Sequence, residues 1–320
     1  MVGDARYSLV NSSLPVPDEC MDNCVYTRDD DNSGHHICFQ AGSLPYECLI
    51  PYECLTCLTD GLGIKMIARS SQDNQPIAGA VADVSMREDD GQEVQLDQGL
   101  QFESDGTLFI PIVSIGLYIV EIRAEGFIDN VEEITVDCTE AECVVERLVA
   151  LSPELEASQT RIIMTWDDTP MDVDLHVMAV DKNSGELCRT WFNDKEGCPA
   201  VALDVDNAQG GLNGAETVTL LDNTVNSKYT YLIAVEDFKF ENGGEPFLWS
   251  GTGIAITNGN KTIKREMEAM VVDYPEEFYL FGCLDVMEDG SFEFQDAANG
   301  TFFNGHIDTK WKDMAENHCQ

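Results

Sequence analysis

The sequence predicts an all-β protein in which tandem β-sandwich domains follow a small disulfide-rich module. Six of the twelve cysteines lie within the first 60 residues. From residue 61 onward, short runs rich in Val, Ile and aromatic residues alternate with Gly, Asp and Asn, which is the pattern of sandwich strands. The length of 320 residues, 43% of them hydrophobic, is enough to fill two or three cores.

Residues 1–60 are predicted to form the disulfide-rich module. Its cysteines are Cys20, Cys24, Cys38, Cys48, Cys54 and Cys57. Small secreted modules use disulfides to compensate for a thin hydrophobic core. Zinc is the alternative because Cys54 and Cys57 have CxxC spacing, but the second CxxC or Cys/His pair of a zinc site is missing. We expect disulfides, and the sequence leaves their connectivity open.

Residues 61–152 are predicted to form the first sandwich. The expected strands are Ile64–Ala68, Val81–Met86, Leu108–Val113, Leu117–Ala124, Glu133–Val136 and Val144–Val149. Cys138 and Cys143 lie five residues apart, at a distance where a disulfide would pin a hairpin.

Three phrases of this segment, NQPIAGAVADVSM, SDGTLFIPI and GLYIVEIRAEGF, resemble the carboxypeptidase regulatory-like domain, a transthyretin-type β-sandwich. The matching positions are Pro76, Ile77, Gly79, Ala80, Asp105, Gly106, Ile110, Pro111, Gly116, Tyr118, Ala124, Gly126 and Phe127. The resemblance implies a sandwich of a family whose members serve mostly as scaffold and adhesion modules, and it says almost nothing about activity.

Residues 158–320 are predicted to form a second, acidic sandwich with a C-terminal extension. Its expected strands are residues 161–166, 173–180, 201–205, 217–221, 229–238, 253–257 and 278–286, and one or two helical turns are expected at 311–319. Cys188 and Cys198 are expected to close a loop by a disulfide. The pairing of Cys283 and Cys319 is left open.

Two DVD motifs carry the candidate site of this sandwich. Residues two apart on a strand point to the same face, so Asp172 and Asp174 are expected to lie together, with His176 following, and Asp204 and Asp206 likewise. Carboxylates that converge raise each other's pKa or require a cation. Calcium binds 6–8 oxygens, so we predict a calcium site. The predicted ligands are Asp172, Asp174, Asp204, Asp206 and Glu216, and Asn207 and the carbonyls of Gln209–Leu212 would complete the shell.

A structural role for these acids stays open beside the calcium site. Aspartates at strand ends accept hydrogen bonds from backbone N–H groups, and an acidic edge discourages aggregation between strands. His176 is expected to be a core or turn histidine.

The stretches MTWDDTPMDVDLHV, ALDVDNAQGGLNGAETVTL and KYTYLIAVEDF resemble an uncharacterised family of extracellular or periplasmic β-sandwich proteins with a DLDLHV signature. The matching positions are Trp166, Asp172, Asp174, His176, Leu203, Asp204, Asp206, Gly214, Glu216 and Tyr231. The chain departs from that signature at Val173, where the family has leucine, and at Ala215, where it has proline. The resemblance implies a fold and a cluster of acids, but no reaction.

The charge and the sequons bear on where the protein acts. A formal charge of −41 argues against nucleic acid and against anionic membranes, and no run approaches the ~20 apolar residues of a membrane-spanning helix. The cysteines and the sequons at Asn11, Asn260 and Asn299 predict a secreted, extracellular glycoprotein. The N-terminal residues contain no apolar stretch of a signal peptide.

The sequence therefore predicts a secreted, modular protein that binds an extracellular protein, a glycan or a small molecule, or serves a structural role, in a calcium-dependent way. No catalytic motif is present, which favours a non-enzyme. The alternative is a secreted enzyme acting on a small molecule, such as an oxidase or a luciferase-like protein of a marine invertebrate. Its aromatic pocket would be formed by Trp166, Trp191, Trp249, Trp311, Tyr229, Tyr231, Phe238 and Phe247.

Overall fold

The strands of the described residues form four sheets that pack as sandwiches, and a separate two-stranded ribbon precedes them. The computed structural model describes residues 7–9, 49–51, 62–88, 90–112, 114–137, 143–167, 172–237, 251–267 and 278–303. The predicted all-β class is confirmed. Within the described ranges, no helix has the length and apolar character needed to cross a bilayer.

The ribbon consists of β1 (Tyr7–Leu9) and β2 (Leu49–Pro51), which pair antiparallel. The six cysteines of the predicted N-terminal module, together with Asn11, lie outside the described residues.

Seven strands form what we call the N-terminal sandwich. They are β3 (Leu62–Ser70), β4 (Val81–Arg87), β5 (Glu93–Gln101), β6 (Thr107–Pro111), β7 (Gly116–Arg123), β8 (Asn130–Val136) and β9 (Cys143–Leu151). The sheet β6-β3-β9 packs on the sheet β5-β4-β7-β8 around a core that includes Ile64, Met66 and Ile122. All six predicted strands are present. Strand β5 was not predicted; it is an edge strand that is exposed along almost its whole length, and its sequence is rich in polar residues.

What we call the C-terminal sandwich contains ten strands in the described part of residues 160–303. They are β10 (Thr160–Thr165), β11 (Val173–Asp181), β12 (Leu187–Thr190), β13 (Val201–Val205), β14 (Glu216–Leu220), β15 (Tyr229–Asp237), β16 (Gly253–Thr257), β17 (Thr262–Glu266), β18 (Phe278–Val286) and β19 (Phe292–Phe303). The sheet β13-β14-β10-β16-β17 packs on the sheet β12-β11-β15-β18-β19. The seven predicted strands are present. Strands β12, β17 and β19 were not predicted.

Two cysteines of the C-terminal sandwich are paired as predicted. Cys188 and Cys198 form a disulfide that closes the loop after β12. The backbone N–H of Cys198 also donates to Thr190 Oγ1 at 3.1 Å, which holds the end of this loop on β12. Cys283 is disulfide-bonded as well. Cys138, Cys319 and the predicted helical turns at 311–319 lie outside the described residues.

The two sandwiches contact each other through polar side chains. Lys264 Nζ on β17 lies 2.6 Å from Glu132 Oε1 on β8. At a second point, Asn74, in the turn between β3 and β4, bonds to the backbone of Ala215, the residue immediately before β14.

Two glycines of the N-terminal sandwich provide a matched test of its turn geometry. Gly79 and Gly106 have φ angles of +78° and +80°. A Cβ on Gly79 would meet nothing within 4 Å, whereas a Cβ on Gly106 would lie 2.5 Å from the carbonyl oxygen of Ala68. We expect Gly79→Ala to lower the free energy of unfolding by about 1 kcal/mol, through backbone strain alone. Gly106→Ala should cost clearly more in chemical denaturation, and equal losses would contradict this turn geometry.

Candidate metal centre

Strand β11 carries the first candidate ligand. Val173, Leu175 and Val177 face the core between the two sheets of the C-terminal sandwich, so the alternation of the strand turns Asp174 and His176 to the opposite face. Both side chains are nevertheless buried, with exposures of 3% for Asp174 and 0% for His176.

Glu216 begins β14 and projects into the gap between the two sheets. It lies on the same face as Val218 and Leu220, which are core residues, and it is 1% exposed. Its Oε2 accepts a hydrogen bond from the N–H of Leu175 at 2.6 Å, and its Oε1 accepts one from the N–H of Asn207 at 3.2 Å. Strand β12 pairs with β11 only at Val177–Val180, so Glu216 provides an acceptor beyond the end of that pairing.

Three carboxylates meet at this end of the sandwich. Asp174, Asp206 and Glu216 each offer an oxygen, and these oxygens lie within 4.8 Å of one another. Asp174 Oδ2 is buried and has no hydrogen-bond partner. Each oxygen of Glu216 receives one backbone N–H and retains a second lone pair. The group therefore offers several electron pairs to a cation.

Burial and mutual repulsion disfavour the charged forms of Asp174 and Glu216, whereas Asp206 is exposed. Burial raises the pKa of Asp174 to about 8, and the carboxylates of Asp172, Glu236 and Asp206 add to the rise while Arg189 opposes it. Burial, followed by the charge of Asp174, raises the pKa of Glu216 well above its usual value, against the hydrogen bond from Leu175. Such a group binds protons or a metal ion.

A second group contains Asp174, His176 and Glu236. His176 Nε2 lies 2.8 Å from Glu236 Oε2, although the contact is not aligned as a hydrogen bond. His176 Nδ1 accepts from Arg189 Nε at 2.9 Å. The proton of the neutral ring is therefore on Nε2, which leaves that nitrogen no lone pair for a metal.

Arg189 already supplies the positive charge of this second group. Its guanidinium stacks on Trp191, 3.6 Å from the ring centroid, and lies 3.9 Å from Glu236 Oε2. Burial, and then Arg189, lower the pKa of His176 well below its usual value. Burial raises the pKa of Glu236 to about 7, against the effect of Arg189. We therefore take Asp174, Asp206 and Glu216 as the candidate centre.

The structure does not bring all five predicted ligands together. Asp204 is the extra residue of a β-bulge, because Leu203 and Val205 face consecutive residues of β14. The bulge breaks the alternation that would place Asp204 and Asp206 on one face. The carboxylate of Asp204 accepts from Thr219 Oγ1 and lies 3.8 Å from Arg161 Nε. Asp172 is buried near Asp174 but is not a member of the group.

Asn207 has a different role from the expected one. Its side-chain Nδ2 donates to the carbonyl oxygens of Gly210 and Gly214 at 3.0 and 2.9 Å, and its Oδ1 accepts from the N–H of Gln209 at 3.1 Å. The side chain therefore shapes the loop between β13 and β14.

Three charged neighbours of the centre escaped the sequence analysis. Arg189 and Glu236 flank Asp174, and Lys195 Nζ lies 2.9 Å from Asp206 Oδ2. Glu236 faces Asp174 directly across β15 and β11. The sequence predicts the alternation of each strand, but it does not predict the register that places Asp174 opposite Glu236.

The described aromatic residues of the alternative enzyme pocket lie in different parts of the C-terminal sandwich. Trp166 and Tyr231 belong to the core between the sheets, and the Tyr231 hydroxyl donates to Asn226 Oδ1 at 2.8 Å. Tyr229 packs against that core, and Trp191 stacks on Arg189. Trp249, Trp311, Phe238 and Phe247 lie outside the described residues.

Of the predicted glycosylation sites, the structure describes the surroundings of one. Asn260 is exposed in the turn between β16 and β17, where its N–H donates to Asn258 Oδ1 at 3.1 Å. Asn299 belongs to β19. Modification of all three sequons stays a prediction.

Comparison with known proteins gives only distant structural similarity. No family model and no curated protein matches the sequence. Three similar solved structures are a homologue of telluride resistance protein (TerD) from Streptomyces coelicolor, a protein of unknown function, and BcpA, the major pilin subunit of Bacillus cereus. Their identities to this chain are 12%, 15% and 12%, and their TM-scores are 0.38, 0.36 and 0.25. The matches cover 50%, 48% and 75% of this chain and 98%, 94% and 83% of those chains. The sandwich fold implied by both resemblances is present, but no match assigns the chain to either family.

The raised pKa of Asp174 predicts a pH-dependent stability when no metal is bound. Its folded-state pKa of about 8 exceeds the usual 3.8, so its stabilising contribution is complete below pH ~4 and is lost as the pH rises through 8. In chelator, Asp174→Asn, which mimics the protonated acid among Asp172, Asp206, Glu236 and Arg189, should match the wild type near pH ~3.5 and melt increasingly higher than the wild type as the pH rises to ~8.5. Thermal melts measure both. A variant that melts lower than the wild type at both pH values would contradict this burial of charge.

Proposed function

We propose that the protein is a secreted, modular binding or structural protein in which Asp174, Asp206 and Glu216 bind calcium. The observation that carries the proposal is the convergence of three carboxylate oxygens within 4.8 Å, one contributed by Asp174, which is 3% exposed and has a buried oxygen without a hydrogen-bond partner. An unpaired buried acid is costly unless a proton or a cation neutralises it.

The donor set supports a hard cation. All three ligands are carboxylates, and the proton on Nε2 keeps the neighbouring histidine, His176, out of the set. Oxygen-only sites suit calcium or magnesium. The ligands come from a strand and from both ends of a loop, an arrangement that tolerates the variable geometry of calcium better than the strict octahedron of magnesium. This difference supports the choice of calcium in the proposal.

The extracellular setting of the proposal is supported by chemistry. The Cys188–Cys198 disulfide fits an oxidising compartment, and the surplus of acids fits a calcium-containing medium. The bound partner would be a protein, a glycan or a small molecule. Of the aromatic residues that the alternative enzyme pocket would use, Trp166 and Tyr231 are core residues, and this favours the binding role.

The two acids of the second DVD motif provide a matched test. Asp206 belongs to the carboxylate group, whereas Asp204 contacts Thr219 and Arg161. In calorimetric titration, the wild type should bind calcium with a Kd on the order of 10⁻⁴ to 10⁻³ M, as extracellular modules do. Asp206→Asn should weaken binding at least ~10-fold because a charged ligand is lost. Asp204→Asn should leave the Kd unchanged and lower the melting temperature equally with calcium and with chelator.

Two results of this titration count against the proposal. If the wild type shows no calcium binding, the site does not hold this ion. If both variants weaken binding equally, the effect comes from general loss of negative charge. Magnesium serves as the comparison ion, and tighter binding of magnesium than of calcium would overturn the choice of metal.

Lys195 offers an independent test with the opposite sign. Its ammonium lies 2.9 Å from Asp206 Oδ2 and competes with an ion for that oxygen. Because the side chain is half exposed, its attraction to Asp206 is modest. Lys195→Gln should tighten calcium binding by about 2- to 5-fold, the equivalent of a surface ion pair. Weaker binding in this variant would mean that Lys195 supports the site.

A further inference from the structure

The loop between β13 and β14 joins the calcium site to the other sandwich. Asp206 and Glu216, two of the three proposed ligands, stand at its two ends. Between them the loop is held by Asn207, which donates to Gly210 and Gly214 through its side chain and to Glu216 through its backbone N–H. Movement of the loop would therefore move both ligands.

One face of this loop rests on the C-terminal sandwich itself. A Cβ added to Gly211 would lie 1.9 Å from the carbonyl oxygen of Trp166 and 2.5 Å from that of Asp167. This close approach leaves the loop no freedom to shift toward the segment that follows β10.

The other face rests on Asn74 of the N-terminal sandwich, 141 residues away in sequence. Asn74 Nδ2 donates to the carbonyl oxygen of Ala215 at 3.1 Å, and the N–H of Ala215 donates to Asn74 Oδ1 at 3.0 Å. The side-chain amide thus pairs with a backbone residue as a neighbouring strand would. Ala215 is fully buried and immediately precedes Glu216.

Asn74 is itself fixed in an unusual backbone conformation. Its φ angle is +56°, and its N–H donates to the carbonyl oxygen of Ser70 at 2.9 Å. Arg69 Nη1 donates to the carbonyl oxygen of Asn74 at 3.1 Å. Asparagine adopts this left-handed region more readily than most residues. The turn therefore presents the amide to Ala215 in a set orientation.

We propose that Asn74 is a positioning residue for the calcium site, so that the site is assembled from both sandwiches and calcium binding is coupled to the Asn74–Ala215 contact. The inference rests on the proposed function. Groups that orient metal ligands without touching the metal affect metal affinity strongly. Coupling between two contacts is reciprocal, so calcium also strengthens the hold of Ala215 on the Asn74 turn.

The first test measures calcium affinity in the full-length protein. Asn74→Gly removes the amide while keeping the positive φ accessible, and its melting temperature in chelator shows whether the fold is retained. Calorimetric titration should show binding weakened by about 10-fold, the lower end for such orienting groups. Asn74→Asp, which keeps the acceptor for the Ala215 N–H but lacks the donor, should lie between the wild type and Asn74→Gly.

A matched control removes a different contact between the sandwiches. Lys264→Gln breaks the ion pair between Lys264 and Glu132. This pair does not contact the loop between β13 and β14. Its calcium affinity should equal that of the wild type. If Lys264→Gln weakens binding as much as Asn74→Gly does, or if Asn74→Gly changes affinity by less than twofold, the positioning role is overturned. Absence of binding in the wild type would instead refute the proposed function.

The second readout follows the reciprocal effect at a place that touches no ligand. In hydrogen exchange measured by mass spectrometry, calcium should slow exchange in a peptide covering residues 71–77 of the wild type. The same peptide should show no calcium effect in Asp206→Asn. If the protein binds calcium but calcium does not change the exchange rate of this turn, the coupling is overturned as well.

Discussion

The buried carboxylate of Glu216 is the constraint on which this end of the molecule depends. It starts a strand of one sheet and accepts the N–H of Leu175 from the other sheet and the N–H of Asn207 from the intervening loop. One side chain thereby joins three segments that backbone pairing leaves apart. The cost is a carboxylate that is 1% exposed beside a second buried acid, Asp174. Such a pair needs a proton or a cation to be stable.

The negative charge around Asp174 and Glu216 is balanced differently on its two sides. On the side of His176 and Glu236, the protein supplies its own cation, Arg189, held by Trp191. On the side of Asp206, the available cation is Lys195, whose side chain is about half exposed. A protein cation fixed by stacking occupies its place permanently, whereas an exposed lysine can yield to an ion. Both basic residues belong to the segment closed by the Cys188–Cys198 disulfide.

The sequence predicts much of the fold and part of the candidate site. The alternation of VDLHVMAV predicts β11 and places Asp174 opposite the core side chains, and the spacing of the second motif indicates Asp206 and Glu216. The bulge at Asp204 was not readable, because it depends on how β13 pairs with β14. Arg189 comes close to the site because of strand register, and Asn74 because of the packing of the two sandwiches. Neither position can be predicted from the residues around it in the sequence.

The most direct test of the account is a crystal structure of the full-length protein grown in calcium, with the ion identified by its anomalous signal. The account predicts an ion about 2.4 Å from oxygens of Asp174, Asp206 and Glu216, with Lys195 moved away from Asp206. A structure in which Asp174 instead hydrogen-bonds to a neighbouring carboxylate as a protonated acid, with no ion between the three groups, would contradict it.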